Sequence, residues 1–317
     1  MDAGSRTGEG PGHEPVMVEE VLAHLGPREG GRILDLTVGT GGHARAILER
    51  IGPQGLLVGV DRDGELLERT ASRLRKDFPQ TRFLHANFAE IDELRRHLAP
   101  ISFQGLLLDL GVSSAQLDDD ERGFSFARTG PLDMRMDRSE GVTAGELLER
   151  LSADELERVL REYGEERHAR AIARAIVRER SRTCFTNTLQ LAALIERILP
   201  SRRMRIHPAT RTFQALRIAV NDELGNLSRF LAGFHRLLEA RGVVVVLSFH
   251  SLEDRLVKRS FRRGEQEKRL EVLTPKPVRP GAEEVRRNRR ARSARLRAAR
   301  LLETTGPRGE ERQCFVG

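Results

Sequence analysis

Four short apolar runs, separated by three segments of helical periodicity, constrain the fold of this 317-residue chain more than any other feature. The strand-like runs are RILDLTV (32–38), LLVGVD (56–61), RFLHANF (82–88) and GLLLDLGV (105–112). The helical segments between them are 43–51, 64–76 and 89–98. Strands that alternate with helices predict a parallel sheet covered on both faces. We therefore expect an α/β fold with a Rossmann-like sheet.

The pattern changes after Val112. Residues 113–137 are polar with Gly and Pro and are predicted to form one long loop, which in a compact domain is usually functional. Helices without an intervening strand are predicted next, at 144–150, 153–162, 165–180 and 187–199. The first two begin on Ser/Thr-x-x-Glu capping boxes. The sequence therefore predicts an all-helical insertion.

The sheet pattern resumes in the last third. Helices at 209–223 and 226–239 lead into GVVVVLSFH (242–250), a fifth central strand, and the segments 269–278 and 293–301 are predicted to close the sheet as a pair of strands. The expected domains are the sheet domain, 13–115 with 208–305, and the helical insertion, 116–207. A disordered N-terminal tail (1–12) and a C-terminal tail (306–317) are expected outside them.

The glycine loop after the first strand has the spacing of a dinucleotide site. Gly39, Gly41 and Ala44 fit the pattern G-x-G-x-x-[GA], whose turn holds a pyrophosphate. However, Asp35 lies just before the turn, where a carboxylate would repel the pyrophosphate. S-adenosylmethionine has no phosphate, and it carries an ammonium and a sulfonium. The loop therefore favours this methyl donor, with a nicotinamide oxidoreductase as the alternative.

Chemically distinctive residues follow each strand, where open parallel sheets bind ligands. Asp61 can accept hydrogen bonds from the ribose of any adenosine cofactor. Phe88 can stack on adenine, or it can pack in the core. Asp109, with the hydroxyls of Ser113 and Ser114, can accept hydrogen bonds from an amine and so localise its lone pair for methyl transfer. The alternative for Asp109 is a turn former.

The segment HPATRTFQALRIAVNDEL (207–224) suggests contact with RNA. It places Arg211, Phe213 and Asn221 along one predicted helix, and arginine beside aromatic residues suits unstacked bases. The alternative is an amphipathic helix whose apolar residues, Phe213 included, face the core. His250, after the fifth strand, can serve as an acid or base, or it can be structural.

Charge favours a polyanionic partner. The chain has 54 Lys and Arg against 47 Asp and Glu, a net charge of +7. Residues 286–300 include eight arginines and no acid. Arg289, Arg290 and Arg292 in this run are predicted to contact RNA phosphates, and a solvated tail is the alternative.

Other functional classes find little support. No apolar run approaches the length of a membrane span, and the first residues contain no secretory signal, so we expect a soluble cytoplasmic protein without membrane contact. Cys184 and Cys314 lie far apart without metal-ligand spacing, so no metal is expected. A homodimer is compatible with the sequence.

Eight segments together resemble one known family over residues 13 to about 300. It is the bacterial 16S ribosomal RNA cytosine-N4-methyltransferase family, also called RsmH or MraW. The segments are HEPVMVEEVL (13–22), TVGTGGH (37–43), LLLDLGVSSAQLDDDERGFSF (106–126), GPLDMRMD (130–137), YGEERHARAIARAI (163–176), HPATRTFQALRIAVN (207–221), SFHSLEDRLVK (248–258) and NRRARSARLR (288–297).

The resemblance implies a class I methyltransferase fold with a helical substrate domain inserted after the fourth strand. It implies S-adenosylmethionine as donor, and as acceptor the N4 amine of a cytidine in the decoding (P-site) region of 16S rRNA in the small ribosomal subunit. An enzyme of this kind needs an extruded or single-stranded base. A non-catalytic RNA-binding assembly factor is the second alternative. The implied cofactor residues are Gly41, Gly42, His43, Asp61, Phe88, Asp109 and Gln116.

Overall fold

The computed structural model describes residues 15–199 and 206–303, so the tails predicted at 1–12 and 306–317 lie outside the described residues. A seven-stranded sheet forms its centre. The strands are β1 (Arg32–Asp35), β2 (Leu56–Asp61), β3 (Arg82–His85), β4 (Phe103–Asp109), β5 (Leu238–Ser248), β6 (Leu270–Val272) and β7 (Arg295–Leu301).

The strand order is β3-β2-β1-β4-β5-β7-β6. Strands β1 to β5 pair in parallel, and β7 runs antiparallel to both β5 and β6. The predicted parallel α/β sheet and the closing pair of strands are therefore confirmed. The order reverses direction between β1 and β4, and open sheets of this kind bind ligands at such a switch point.

Helices cover both faces of the sheet and form a separate group after β4. They are α1 (Val18–Leu25), α2 (Gly42–Ile51), α3 (Gly64–Asp77), α4 (Ile91–Leu98), α5 (Ser114–Asp118), α6 (Ala144–Arg150), α7 (Ala153–Gly164), α8 (Ala169–Arg180), α9 (Thr188–Ile198), α10 (Thr210–Asn221), α11 (Glu223–Gly233), α12 (Ser251–Gln266) and α13 (Ala282–Arg287).

The helices after β4 have their own apolar core. Thr143 and Ser152 cap α6 and α7 through the predicted capping boxes. Buried side chains of α6 to α10 pack together, and α10 contributes Phe213 and Leu216 to this core. In the described part of 113–199, the only β pairing is an isolated bridge. The domain limits at 115/116 and 207/208 stay predictions.

Three predicted boundaries are wrong. Residues 113–137 are not all loop, because Ser113 and Gln116 form a capping box that starts α5. The helix predicted to begin at 165 begins at Ala169, since Glu165 adopts a left-handed conformation (φ 47°) that ends α7. The helix predicted over 226–239 ends at Gly233 because β5 already begins at Leu238.

None of the described helices is long and apolar enough to cross a membrane.

Candidate active site

A cleft opens at the carboxyl ends of β1, β2, β4 and β5. It encloses about 1200 Å³ of empty space, including its open mouth, which suits a nucleoside-sized ligand. One end lies between the glycine loop, Asp61 and Phe88, and is here called the cofactor end. The part of the lining that includes Glu223 and Glu253 is called the acceptor end, and Asn226 joins the two parts, since its side chain binds Asn87 next to Phe88.

The glycine loop turns sharply to begin α2. Gly39 and Gly41 have left-handed backbone conformations, with φ of 49° and 76°. A Cβ on Gly41 would lie 2.8 Å from Cγ2 of Thr70, so the loop packs closely against α3. Gly39 and Gly42 line the cleft, whereas Gly41 is not among its lining residues. Gly41 thus shapes the loop, and its neighbours provide the cleft surface.

Asp35 orders this turn. Its carboxyl is 1% exposed and its Oδ1 accepts a hydrogen bond from the backbone N–H of Thr37, at 3.2 Å. It is not among the described residues that line the cleft. Burial raises the pKa of Asp35 to about 7, although His43 and the Thr37 N–H oppose the shift. Because a carboxyl group with this pKa is partly protonated near neutral pH, it repels a pyrophosphate less than a fully ionised aspartate would.

The buried His43 and the partly exposed Asp109 form a pair beside the glycine loop. His43 Nε2 lies 2.9 Å from the carbonyl of Val16, and its Nδ1 lies 3.4 Å from Oδ2 of Asp109. Burial favours the neutral imidazole, but the carboxylates of Asp109 and Asp35 outweigh it and raise the pKa of His43. Asp109 Oδ1 is buried without a hydrogen-bond partner among the described residues. The cleft therefore holds an acceptor that a ligand can satisfy.

Asp61 and Phe88 line the cleft as the sequence predicts. The Asp61 carboxylate accepts hydrogen bonds from the backbone N–H groups of Gly39 and Asp63, at 2.8 and 2.9 Å. Burial raises the pKa of Asp61 to about 6, against these hydrogen bonds. The Phe88 ring packs edge-on against Phe230, with centroids 5.9 Å apart, so it contacts the core and the cleft together.

A buried polar network fixes the segment after β4. Asp63 Oδ2 accepts a hydrogen bond from Gln116 Nε2 and lies in an ion pair with Arg122, both at 2.7 Å. Arg122 also donates to the carbonyl of Met136, at 2.8 Å. Asp63, Gln116 and Arg122 are each at least nine-tenths buried. Gln116 lines the cleft, and its hydrogen bond to Asp63 fixes its position relative to the segment that follows β2.

The acceptor end holds charged groups that sequence analysis missed. Glu223 accepts two hydrogen bonds from the Arg217 guanidinium, at 2.7 and 2.8 Å. Glu253 is 2% exposed, and its Oε2 accepts the backbone N–H of Phe249 at 2.8 Å. Burial opposes ionisation of Glu253, but His250 and Arg217 outweigh it and lower the pKa. The only sequence signal is the His-x-x-Glu spacing after β5, which resembles a capping box.

These residues also place three ligand-type atoms close together. Oxygens of Glu223 and Glu253 and a nitrogen of His250 lie within 4.8 Å of one another. Both oxygens of Glu223 bind Arg217, which already supplies the positive charge that a metal would bring. Arg217 therefore neutralises Glu223 within the protein.

Of the seven residues predicted to bind substrate, Arg290 alone is among the described residues that line the cleft. Phe213 is 4% exposed and lies in the helical core, as the amphipathic alternative requires. Asn221 is buried and holds the backbone of 134–136. Arg211 donates to the Glu165 carbonyl, at 3.3 Å. His250 is the N-cap of α12.

The arginine run 286–300 divides into paired and unpaired side chains. Arg290 lines the cleft and forms an ion pair with Asp118, at 2.7 Å. Arg295 and Arg297 bind Asp254, and Arg300 binds Glu271. Arg289 and Arg292 are exposed. Much of the run therefore stabilises the fold, so its charge alone overstates the surface available to RNA.

Known proteins resemble this chain over almost its whole length. The MraW methylase family matches residues 11–302. A protein of Trichlorobacter lovleyi named ribosomal RNA small subunit methyltransferase H is 50% identical over 307 residues, covering 92% of this chain and 98% of its own length. Proteins of the same name are 48% identical in Thermomicrobium roseum, covering 93% and 95%, and 50% identical in Thermotoga neapolitana, covering 93% and 97%. The chain is thus a class I methyltransferase that uses S-adenosylmethionine, as its sequence predicts, and it belongs to the MraW methylase family.

Proposed function

We propose that this enzyme methylates the exocyclic N4 amine of a cytidine in the P-site region of 16S rRNA. The names of the relatives specify RNA of the small ribosomal subunit, and about half of the residues are identical over nearly the full length. The cytidine and its N4 amine are inferred from the segments that resemble the cytosine-N4-methyltransferases. A ribosomal substrate also implies that the enzyme acts in the cytoplasm.

The cofactor end fits S-adenosylmethionine. We assign Asp61 to the ribose hydroxyls and Phe88 to the adenine ring. The unpartnered Oδ1 of Asp109, beside the glycine loop and His43, suits the ammonium of the methionine end. Gln116 completes the wall, and Gly41 sets the turn. When bound, the cofactor supplies a methyl group activated by a positively charged sulfur.

Charge in the cleft is the observation that carries this function. Two arginines line it, and both already bind protein oxygens: Arg62 the carbonyl of Asn221, and Arg290 the carboxylate of Asp118. Such a lining attracts a sulfonium and an amine and opposes a pyrophosphate, which favours methyl transfer over the nicotinamide alternative. Four carboxyl groups line the cleft: Asp61, Asp109, Glu223 and Glu253.

The protein contributes mainly by positioning. Methyl transfer is an in-line displacement, so its rate depends on holding the nucleophile close to the methyl carbon and excluding water. Gln116 and Met136, at the two ends of the anchored segment 116–136, line the cleft, and buried residues of the segment pack into the helical core. A base stacked in a duplex cannot reach this cleft, so we infer that the cytidine is extruded or single-stranded.

Mapping of methylated nucleotides tests the proposal. Small subunits and naked 16S rRNA from a strain without the enzyme are incubated with the purified protein and methyl-labelled cofactor, and nuclease fragments are analysed by mass spectrometry. We expect one labelled cytidine in the P-site region, with the label on N4. Label on a ring carbon, on another nucleotide, or none on either substrate would contradict the proposal.

The same assay separates the enzyme from a non-catalytic assembly factor. An Asp61→Ala variant should lose cofactor binding and methylation together. If cells with the variant behave like cells with the natural protein, methylation is dispensable, as the assembly-factor alternative requires. If they behave like cells without the protein, methylation is the function of the cleft.

A further inference from the structure

The acceptor end lies next to the strand that carries Asp109. The backbone N–H of Leu110 donates to the carbonyl of Leu247, at 3.1 Å, so the ends of β4 and β5 are paired. A Cβ on Gly111 would lie 3.7 Å from the Phe249 ring. The N–H of Phe249 in turn binds the Glu253 carboxylate. Glu253 therefore faces the cleft from the β5 side, one strand away from Asp109.

Most other polar groups at this end are already committed. Both oxygens of Glu223 bind Arg217. The Asn226 amide donates to the carbonyl of Asn221, and its oxygen accepts from Asn87 and Arg229, all at 2.8–2.9 Å. These side chains therefore shape the wall, and they have little capacity left for a ligand.

Glu253 differs because one of its oxygens keeps acceptor capacity. Oε2 accepts hydrogen bonds from the backbone N–H groups of Phe249 and His250, at 2.8 and 3.3 Å. Oε1 lies 3.1 Å from Nε2 of His250, and because a carboxylate oxygen has two lone pairs, it can accept a second hydrogen bond. Since Glu253 lines the cleft, a donor bound there can use this capacity.

We propose that Glu253 accepts a hydrogen bond from the exocyclic amine of the target base and so orients it for methyl transfer. This assignment rests on the proposed function. His250 acts as a positioning residue, because its imidazole and backbone N–H hold the carboxylate in place. Arg217 pairs with the neighbouring Glu223, and its positive charge also stabilises the ionised form of Glu253.

The chemistry of cytosine explains why such an acceptor is needed. The N4 lone pair is delocalised into the ring, and an acceptor on one N4 hydrogen helps to localise it on nitrogen. The lone pair then forms the N–C bond to the methyl group, while the electrons of the broken C–S bond stay on sulfur. The amine proton leaves along its hydrogen bond to the Glu253 carboxylate, which later releases it to water.

The same oxygen discriminates between bases. Cytosine presents a donor at N4, which a glutamate accepts, as in other protein contacts with cytosine. Uracil presents a carbonyl oxygen at the equivalent position, so it would face the negative oxygen without a proton between them. Glu253 is therefore a specificity-determining residue as well as a catalytic one.

A Glu253→Gln variant tests the assignment. Glutamine keeps an oxygen for the backbone N–H groups of the cap, and it places an NH₂ group where Oε1 faces the cleft. Because hydrogen bonds to charged groups contribute about 1.5–3 kcal/mol, we expect kcat on the cytidine substrate to fall about 10- to 100-fold. The Kd for S-adenosylmethionine, measured by calorimetry, should stay within about twofold of the natural value.

Glu265→Gln is the matched control, since Glu265 lies on the same helix, is exposed, and does not line the cleft. It should leave kcat and cofactor affinity unchanged. His250→Asn keeps an N-cap side chain and the carboxylate but removes the imidazole, so we expect a smaller loss of kcat than in Glu253→Gln. Equal kcat for Glu253→Gln and Glu265→Gln would overturn the proposal.

A second measurement needs no variant of Glu253. The natural enzyme is challenged with two RNA fragments that differ only in a cytidine or a uridine at the mapped target position. We expect the uridine fragment to compete at least about tenfold less well, and equal competition would overturn the proposal. If the natural enzyme labels no cytidine N4, the proposed function fails. If it labels N4 and Glu253→Gln does so at the natural rate, only this inference fails.

Discussion

The carboxyl groups at and beside the two ends of the cleft have pKa values shifted in opposite directions. Beside the glycine loop, Asp35 and Asp61 accept hydrogen bonds mainly from backbone N–H groups, and burial raises their pKa values to about 7 and about 6. At the acceptor end, a hydrogen bond from His250 and the nearby Arg217 guanidinium lower the pKa of Glu253 despite its burial. Hydrogen bonds from neutral donors thus compensate desolvation only partly, whereas a nearby cation reverses its effect.

This difference matches the ligands proposed for each end. A cationic cofactor brings its own positive charge, so the cofactor end need not be fully ionised before it binds. The target amine is neutral and brings no charge, so the acceptor end must hold its negative charge in advance. Preorganised charge of this kind is costly to bury, and Arg217 offsets that cost.

Removing the built-in cation should have the largest effect. An Arg217→Gln variant leaves the mostly buried Glu223 without its partner, so the free energy of unfolding should fall by about 3 kcal/mol. Urea denaturation measures it. Arg229→Gln is the control, since Arg229 pairs with Asp222 at the surface and should contribute less than about 1 kcal/mol. Equal losses in the two variants would show that the acceptor end does not depend on this cation.

Removing a carboxyl group at the cofactor end should weaken binding more than folding. Asp61→Ala should raise the Kd for S-adenosylmethionine about 100-fold, because the ribose loses a charged acceptor and the glycine loop loses the bond to Gly39. Calorimetry measures the change. The Kd of Asp61→Asn, which keeps one acceptor oxygen, should lie between those of the natural protein and Asp61→Ala. A Kd for Asp61→Ala within threefold of the natural value would contradict the assignment of the ribose.

The raised pKa of Asp35 should make stability depend on pH. The unfolded carboxyl titrates near 3.8 and the folded one near 7, so between these values the folded protein binds a proton that the unfolded chain has released. Its contribution to stability is complete below pH 3.8 and is lost as the pH rises through 7. From pH 5 to 8, the cofactor-free protein should therefore lose about 2 kcal/mol relative to Asp35→Asn, which cannot ionise. If the difference in unfolding free energy between the natural protein and Asp35→Asn is the same at pH 5 and pH 8, the pKa of Asp35 is not raised.

The smallest effect is expected outside the cleft, where exposed arginines are compared with an ion-paired arginine in the salt dependence of RNA binding. Arg289→Gln with Arg292→Gln removes exposed charges, and each should reduce the salt dependence of RNA binding by about 0.7–0.9 in log–log slope if it contacts a phosphate. Arg300→Gln is the control, because Arg300 binds Glu271. An unchanged slope in the double variant would place these arginines outside the RNA interface.

The sequence predicts elements whose residues carry the pattern locally. The apolar runs identify the parallel strands. Six of the seven residues assigned to the cofactor from the sequence line one cleft, namely Gly42, His43, Asp61, Phe88, Asp109 and Gln116, and their contact with the cofactor stays a prediction. Ends of elements are less predictable: α5 starts inside a polar segment because one capping box outweighs composition.

Groups brought together by distant contacts were not predictable. Glu223 and Glu253 lie on different helices, and only the fold places both beside Arg217. The arginine run shows the reverse error, since a local charge count cannot reveal that Arg297 is buried against Asp254. Local patterns therefore predict strands and loop chemistry, whereas charge balance at a site depends on tertiary structure.

The position of β7 has a consequence for how the protein is made. Its residues follow β5 and β6 along the chain, yet in the sheet it lies between them. Until 295–301 leave the ribosome, the valine-rich β5 keeps one edge without a partner, and β6 has no strand to pair with. Open apolar edges invite pairing with other chains. Synthesis therefore includes an interval in which the nascent chain depends on rapid elongation or a chaperone, and a stop codon before residue 295 would make that exposure permanent.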